Sequence, residues 1–163
     1  MKIVGWLACT AAVVLLVMAM ATGIAPVAAA TVPRVTGAWV RLPAVPGRPA
    51  AGYFTLTAGS APVELIGIAT PLARVELHRM SMAGGVMRMD TLPSVRIAAG
   101  GRASFGPDGR HLMLFDLSAS VKPGAPVPLS FRFADGSTVK VDAIARAAGA
   151  DAPIAIPMAH GEH

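Results

Sequence analysis

Histidine and methionine stand two positions apart at three places in the chain, a spacing that suits a soft metal ion. The pairs are His78 with Met80, His111 with Met113, and His160 with Met158. Residues two apart on a β-strand project from the same side, so each such pair brings an imidazole and a thioether together. Imidazole is a borderline ligand and thioether a soft, uncharged one, and this set suits Cu(I) better than zinc, magnesium or calcium. Such a neutral set would suit a carrier of a soft metal ion, because it does not trap the ion as thiolates would.

The segment HRMSMAGGVMRMD (78–90) contains four methionines, whereas positions 21–79 contain none. Methionine often fills gaps in a hydrophobic core, and in that interpretation the histidines are incidental. The protein would then be a non-metal β-sandwich interaction module of the cell envelope. The alternative is a gathering of soft ligands, favoured because His78 and His111 both pair with methionine on predicted strands. From the residues alone, both interpretations stay open.

The elements that must position these residues are short strands. Runs with period-two alternation are separated by Gly, Pro and Asp-Gly, which is typical of an all-β sandwich or barrel. Both Asp108-Gly109 and Asp135-Gly136 predict hairpin turns. No long amphipathic helix is indicated. The predicted strands are 37–42, 50–58, 63–69, 73–82, 86–92, 94–98, 111–117, 127–133 and 137–145.

Gly84-Gly85 predicts a two-residue hairpin turn, and this turn sets a register. Met80 then lies opposite Met89 and Met82 opposite Met87, while Arg79 and Asp90 form a cross-strand ion pair on the other face. One face of the hairpin carries five sulfur or imidazole side chains: His78, Met80, Met82, Met87 and Met89. Because the opposite face is charged and solvated, we expect the sulfur-rich face to have a separate role.

The spacing of four histidine and methionine residues resembles the signature of a known family. Ten residues separate His78 from Met89, twenty-one separate Met89 from His111, and one separates His111 from Met113. This is the H-x10-M-x21-H-x-M signature of the PCu(A)C periplasmic copper chaperones. Matching phrases are AWVRLP (38–43), AAGYFTL (50–56), VELH (75–78), GVMRM (85–89) and GRHLML (109–114). The similarity runs over most of residues 36–145.

The resemblance implies a cupredoxin-like β-barrel or sandwich of Greek-key type that binds Cu(I). Its implied ligands are His78, Met89, His111 and Met113. It also implies cytochrome c oxidase assembly, with delivery to the copper subunit of a respiratory oxidase and a Sco-type thiol chaperone as a second partner.

Several further sulfur and imidazole residues fall outside the signature. Met80, Met82 and Met87 are interpreted as a hydrophobic rim that keeps water off Cu(I), in preference to direct ligands. Some family members carry a Met/His-rich tail that adds a Cu(II) site. The tail here is brief, so a second tight site is in doubt; its candidates are Met158, His160 and His163.

The first thirty residues predict export. Lys2 precedes a long apolar run, and Ala28-Ala29-Ala30 fits a cleavage site, which together indicate a secretory signal peptide over 1–30. An uncleaved anchor helix is the alternative. The only cysteine, Cys9, comes before most of the apolar run, which argues against lipidation there. The predicted periplasmic protein has a copper-binding domain over 31–146 and a flexible tail over 147–163.

Composition excludes several function classes. Loss of Lys2 lowers the formal net charge from +5 to +4, and the charges are scattered singly, so nucleic acid is a poor candidate partner. Without Cys9 the exported chain has no thiolate for a blue-copper electron-transfer site. It also lacks a serine nucleophile motif, an HExxH motif and a carboxylate pair near a histidine. We therefore expect a protein that is not an enzyme, with no membrane span in its mature form.

Overall fold

The computed structural model describes residues 32–150 and folds them into ten β-strands, with no helix in that range. The strands are β1 (Arg34–Arg41), β2 (Ala50–Thr57), β3 (Val63–Ala69), β4 (Arg74–Ala83), β5 (Val86–Thr91), β6 (Val95–Ile97), β7 (Arg102–Phe105), β8 (Arg110–Phe115), β9 (Pro126–Phe133) and β10 (Thr138–Arg146). All nine predicted strands are present, and their ends differ from the prediction by no more than three residues. The all-β prediction is confirmed.

The strands follow the alternation of the sequence, most clearly in β9. Val127, Leu129, Phe131 and Phe133 are buried, and the residues between them are exposed or half-buried. Buried residues from both ends of the chain complete one core, in which the rings of Phe54 and Phe105 stack with centroids 4.1 Å apart. A period of two therefore places one face of each strand in the core and the other outside.

The strands form one mixed sheet in the order β5-β4-β8-β2-β1-β10-β9-β3-β6, with β7 also paired to β2. β1 and β10 are parallel, and the other pairs are antiparallel. The order places β4 between β5 and β8, although β8 begins nineteen residues after β5 ends. The two segments rich in histidine and methionine thus become neighbours.

The turn at Asp108-Gly109 differs from the prediction. β7 pairs with the second half of β2 and β8 with its first half, so the two follow one edge of β2 and do not form a hairpin with each other. A loop over 106–109 interrupts this path, closed by a hydrogen bond from the Gly109 N–H to the Gly106 carbonyl. Gly109 does not take a positive φ, whereas Gly136, in the predicted β9–β10 turn, has a φ of 85°. The hairpin prediction is confirmed at Gly136 and wrong at Gly109.

Residues 1–31 and 151–163 lie outside the described residues, and so do the predicted signal peptide and most of the predicted tail. Both segments stay predictions. Among residues 32–150, no helix has the length and apolar character needed to span a bilayer.

Candidate metal centre

The β4–β5 hairpin has the register that the sequence predicts. Met80 lies opposite Met89, and Met82 lies opposite Met87. Gly84 and Gly85 form the turn with φ values of 60° and 77°, a conformation that residues with a Cβ rarely adopt. The two glycines therefore hold the methionine pairs in line on one face.

Strand β8 supplies the second half of the candidate site. His78 of β4 lies directly opposite His111 of β8, and Glu76 lies opposite Met113. Alternation then puts His78, Met89, His111 and Met113 on one face of three adjacent strands. The histidines form the middle row, and the two methionines lie one row to either side on the outer strands.

His111 is held in one orientation by the loop that interrupts β7 and β8. Only 4% of the residue is exposed, and its Nδ1 lies 3.1 Å from the Gly109 carbonyl oxygen. A carbonyl only accepts hydrogen bonds, so Nδ1 carries the proton and the lone pair is on Nε2. The N–H of Met80 donates to the same carbonyl at 3.1 Å. The loop thus fixes which nitrogen of His111 can bind a metal ion.

His78 has the opposite tautomer to His111. Its side chain is 11% exposed, and its Nε2 lies 3.0 Å from Oε2 of Glu76. An ionised carboxylate only accepts, so Nε2 donates and the lone pair is on Nδ1. That Nδ1 is buried and has no hydrogen-bond partner among residues 32–150. A buried nitrogen without a partner is costly unless something else binds it, and a metal ion fits that need.

The two imidazole rings lie near each other on this face. Their ring centroids are 6.4 Å apart and their planes differ by 25°. With one lone pair on each ring and a thioether on either side, the face offers two nitrogen and two sulfur donors. All four donors are uncharged when the histidines are neutral, which is the donor chemistry of a Cu(I) site.

Glu76 also belongs to the candidate site, although the sequence did not predict it. The hydrogen bond from His78, followed by the charge of Arg74, holds the pKa of Glu76 below its ordinary value. Arg74 also donates a hydrogen bond to Glu76 and lies 4.2 Å from the centroid of the Phe115 ring. The signal was available in VELH, because Glu76 stands two positions before His78 on a predicted strand. A carboxylate that orients a ligating histidine is a common partner in metal sites.

Three of the four methionines of the hairpin are exposed to solvent. Met82 is 67% exposed, Met87 62% and Met89 50%, whereas Met80 and Met113 are half-buried. All six residues of β5 are exposed. The interpretation of the methionine cluster as gap-filling core is therefore wrong for these three side chains.

The predicted ion pair between Arg79 and Asp90 does not form. The two residues are opposed in the ladder, but no side-chain contact within 4.0 Å joins their charges, and the Ser81 hydroxyl lies 3.4 Å from Oδ2 of Asp90. Arg79 lies between Asp90 of β5 and Arg110 of β8 in the ladder.

The remaining candidates, Met158, His160 and His163, lie outside the described residues. Among residues 32–150, no group of three or more His, Cys, Asp or Glu side chains could hold a metal ion.

Comparison with known proteins identifies the family. Residues 34–145 match the family model described as "LpqE-like: Putative lipoprotein LpqE-like". The chain belongs to the LpqE-like (PCuAC) family. PCuAC domains are copper chaperone domains, which are not a class of enzyme. A curated relative, "Putative lipoprotein Lxx21020" of Leifsonia xyli subsp. xyli, is 33% identical over 110 residues, which are 66% of this chain and 66% of that protein. The chain thus spans just under two thirds of this relative's length.

Solved PCuAC structures share the fold. The "Copper-bound PCuAC domain from PmoF2" has a TM-score of 0.59 at 22% identity, over 73% of this chain and 96% of that one. The Cu(I)-bound solution structure of DR1885 from Deinococcus radiodurans has a TM-score of 0.56 at 32% identity, over 72% of this chain and 78% of that one. The apo form of DR1885 has a TM-score of 0.56 at 34% identity, over 74% and 82%. The predicted cupredoxin-like fold of this PCuAC member is confirmed.

Proposed function

We propose that this chain is an exported copper chaperone that carries Cu(I) on His78, Met89, His111 and Met113. The observation that carries the proposal is the opposed histidine pair, whose hydrogen bonds leave one lone pair on each ring. The buried Nδ1 of His78 lacks a hydrogen-bond partner within the described part of the chain and is the strongest single sign of a ligand.

The donor set supports Cu(I) over other metals. Zinc sites are built from thiolate, imidazole and carboxylate, and hard cations require oxygen donors. The one carboxylate on this face, Glu76, already accepts hydrogen bonds from His78 and Arg74. Two imidazoles and two thioethers remain. The relative DR1885, solved with Cu(I), supports the same metal.

A neutral and partly open site suits a carrier that must release its ion. Met89, at the outer side of the site, is half in water, so an acceptor can contact the metal there. Following the family resemblance, we propose the copper centre of a respiratory oxidase as the acceptor. A Sco-type thiol chaperone is the proposed second partner. Thiolates bind Cu(I) more tightly than thioethers, so such a protein can take the ion from this site.

Titration of the exported chain with Cu(I), against a competing chelator, tests the metal site. We expect one tightly bound ion, and we expect the His111→Ala/Met113→Ala variant to lose it. Ser81→Ala is a matched control, since Ser81 lies on β4 but on the opposite face, and it should bind as the parent does. A parent chain that retains no copper, or an unchanged affinity in the double variant, would contradict the proposal.

Transfer is tested separately by mixing the Cu(I)-loaded chain with the isolated copper-binding domain of an oxidase subunit. Copper should move to the acceptor, either directly or when a Sco-type protein is added, and the copper content of each protein after separation should report the transfer. Retention of all copper on the chaperone in both mixtures would exclude these partners and leave the metal site itself unaffected.

A further inference from the structure

The pair formed by Met82 and Met87 is too far from the histidines to belong to the same site. Met82 is four residues beyond His78 on β4, a distance of roughly 13 Å along an extended strand. A methionine side chain reaches only a few ångströms from its backbone, so Met82 cannot ligate the ion at His78. The same distance prevents the pair from covering that ion, and the prediction of a sheltering rim does not suit these two residues.

Core packing does not explain the pair either, because both side chains are mostly in water. The backbone register nonetheless brings the two residues together. Met82 and Met87 are directly opposed, next to a two-glycine turn that sets their register. Opposed residues have Cβ atoms about 5 Å apart, so two flexible thioethers can meet on one ion. The charged side chains Arg79 and Arg88 point from the other face of the ribbon.

The methionines form successive rows on the way from the turn to the histidines. Met82 and Met87 make the outer row, and Met80 and Met89 make the next row, roughly 7 Å closer to His78. Exposure falls along the same direction, from the outer pair through Met89 to the buried His111. Thioether donors therefore lie at intervals between the solvent-exposed turn and the histidines.

We propose that Met82 and Met87 form a second, thioether-only site for a soft monovalent cation, and that this site loads the histidine site through the Met80–Met89 row. The proposal rests on the proposed function, for which it supplies an entry route. Thioethers are neutral and soft, so the outer pair selects Cu(I) or Ag(I) over hard or divalent ions. With two donors in open water it binds weakly and exchanges fast. Each outer thioether that is released is replaced by a donor of the next row, the histidine site then completes the set of four donors, and the ion keeps its charge throughout.

The test is a titration of the exported chain, labelled with ¹³C at the methionine methyl groups, with Ag(I) as a redox-inert substitute for Cu(I). We expect the Met89 and Met113 methyl signals to shift with the first equivalent and the Met82 and Met87 signals with a second. In Met82→Leu/Met87→Leu the second stage should vanish and the first remain. Leucine keeps the bulk and the apolar character, so a rim or a docking surface would survive this change while a sulfur site would not.

The His111→Ala/Met113→Ala variant separates the two proposals. It should lose the first stage and keep the shifts of Met82 and Met87. A parent chain in which only the outer pair responds would contradict the histidine site and leave the outer site standing. A second stage that is unchanged in the leucine variant, or that is reported by Met158 alone, would overturn the outer site.

Loading kinetics test the route. Transfer from a dilute Cu(I) chelate to the histidine site should be about tenfold slower in the leucine variant, with the final occupancy unchanged. Equal loading rates in the parent and the variant would overturn the entry route.

Discussion

Glu76 accepts a hydrogen bond from His78, with 3.0 Å between Oε2 and Nε2. The proton of His78 is therefore on Nε2, and the buried Nδ1 carries the lone pair that can bind a metal ion. The two residues stand two positions apart on β4 and share the face that we propose binds the metal ion. A negative charge beside a ligating imidazole both orients the ring and raises its basicity. The affinity of the proposed site therefore depends on a residue that does not itself bind the ion.

Replacement of Glu76 should change the tautomer of His78 and weaken metal binding. In the apo protein, long-range ¹H–¹⁵N spectra should show the proton of His78 on Nε2. Glu76→Ala should give a mixture of tautomers and lower Cu(I) affinity by roughly 10- to 100-fold, the usual effect of losing such a partner. Glu64→Ala is a matched control. Glu64 also accepts a side-chain hydrogen bond and forms an ion pair with an arginine, but it lies on β3, away from the site. A parent protein with the proton on Nδ1 would contradict the assignment.

Stability should fall in acid, and Glu64 is one of the carboxyl groups responsible. The hydrogen bond from Arg96, then that from Ser94, holds the pKa of Glu64 below its ordinary value of 4.5. The unfolded chain therefore binds the proton more readily than the folded one. The stabilisation is complete above the unfolded pKa and is lost as pH falls through the folded pKa. Urea midpoints should be flat from about pH 7 to 5 and should drop below about pH 4.5.

Arg96→Ala should make that acid-induced drop smaller, because Glu64 would then titrate with a more ordinary pKa. Arg102→Ala is the control, an exposed arginine on β7 that makes no ion pair within the described chain. If the urea midpoint falls equally in acid for the parent, Arg96→Ala and Arg102→Ala, the Glu64–Arg96 pair does not contribute to the acid-induced loss of stability.

The hairpin turn should tolerate alanine poorly at Gly85. An added Cβ would meet no atom within 4 Å at either Gly85 or Gly106, but only Gly85 has a positive φ, at 77°. A left-handed backbone costs a residue with a Cβ roughly 1–2 kcal/mol. Urea unfolding should show that loss for Gly85→Ala and much less for Gly106→Ala. Equal effects at both positions would mean that the turn is not held by its glycines.

Mass spectrometry of the exported protein tests the leader. We expect an N-terminus near Thr31, and hence a chain without Cys9. The family and the Leifsonia relative are both described as lipoproteins. A lipid-modified Cys9 or an intact leader would show that the chain is anchored.

The sequence by itself determined most strands and the whole register of the β4–β5 hairpin. Period-two alternation and the Gly84-Gly85 turn are local signals, and each acts within a few residues. They placed Met80 opposite Met89 with no knowledge of the rest of the fold. Local alternation was also present in β7, as RASF with Ala103 and Phe105 buried, but its four residues were too short to stand out beside a glycine-rich loop.

Only the tertiary structure decided what lies beside the hairpin and what covers it. No local period specifies that β8 pairs with β4, or that β7 and β8 share one edge of β2, because such pairings depend on how the entire core packs. The Gly109 carbonyl that orients His111 comes from the resulting loop. Exposure is decided in the same way. The methionine cluster was compatible with a core until the sheet left β5 at its edge, with Met82 and Met87 in water.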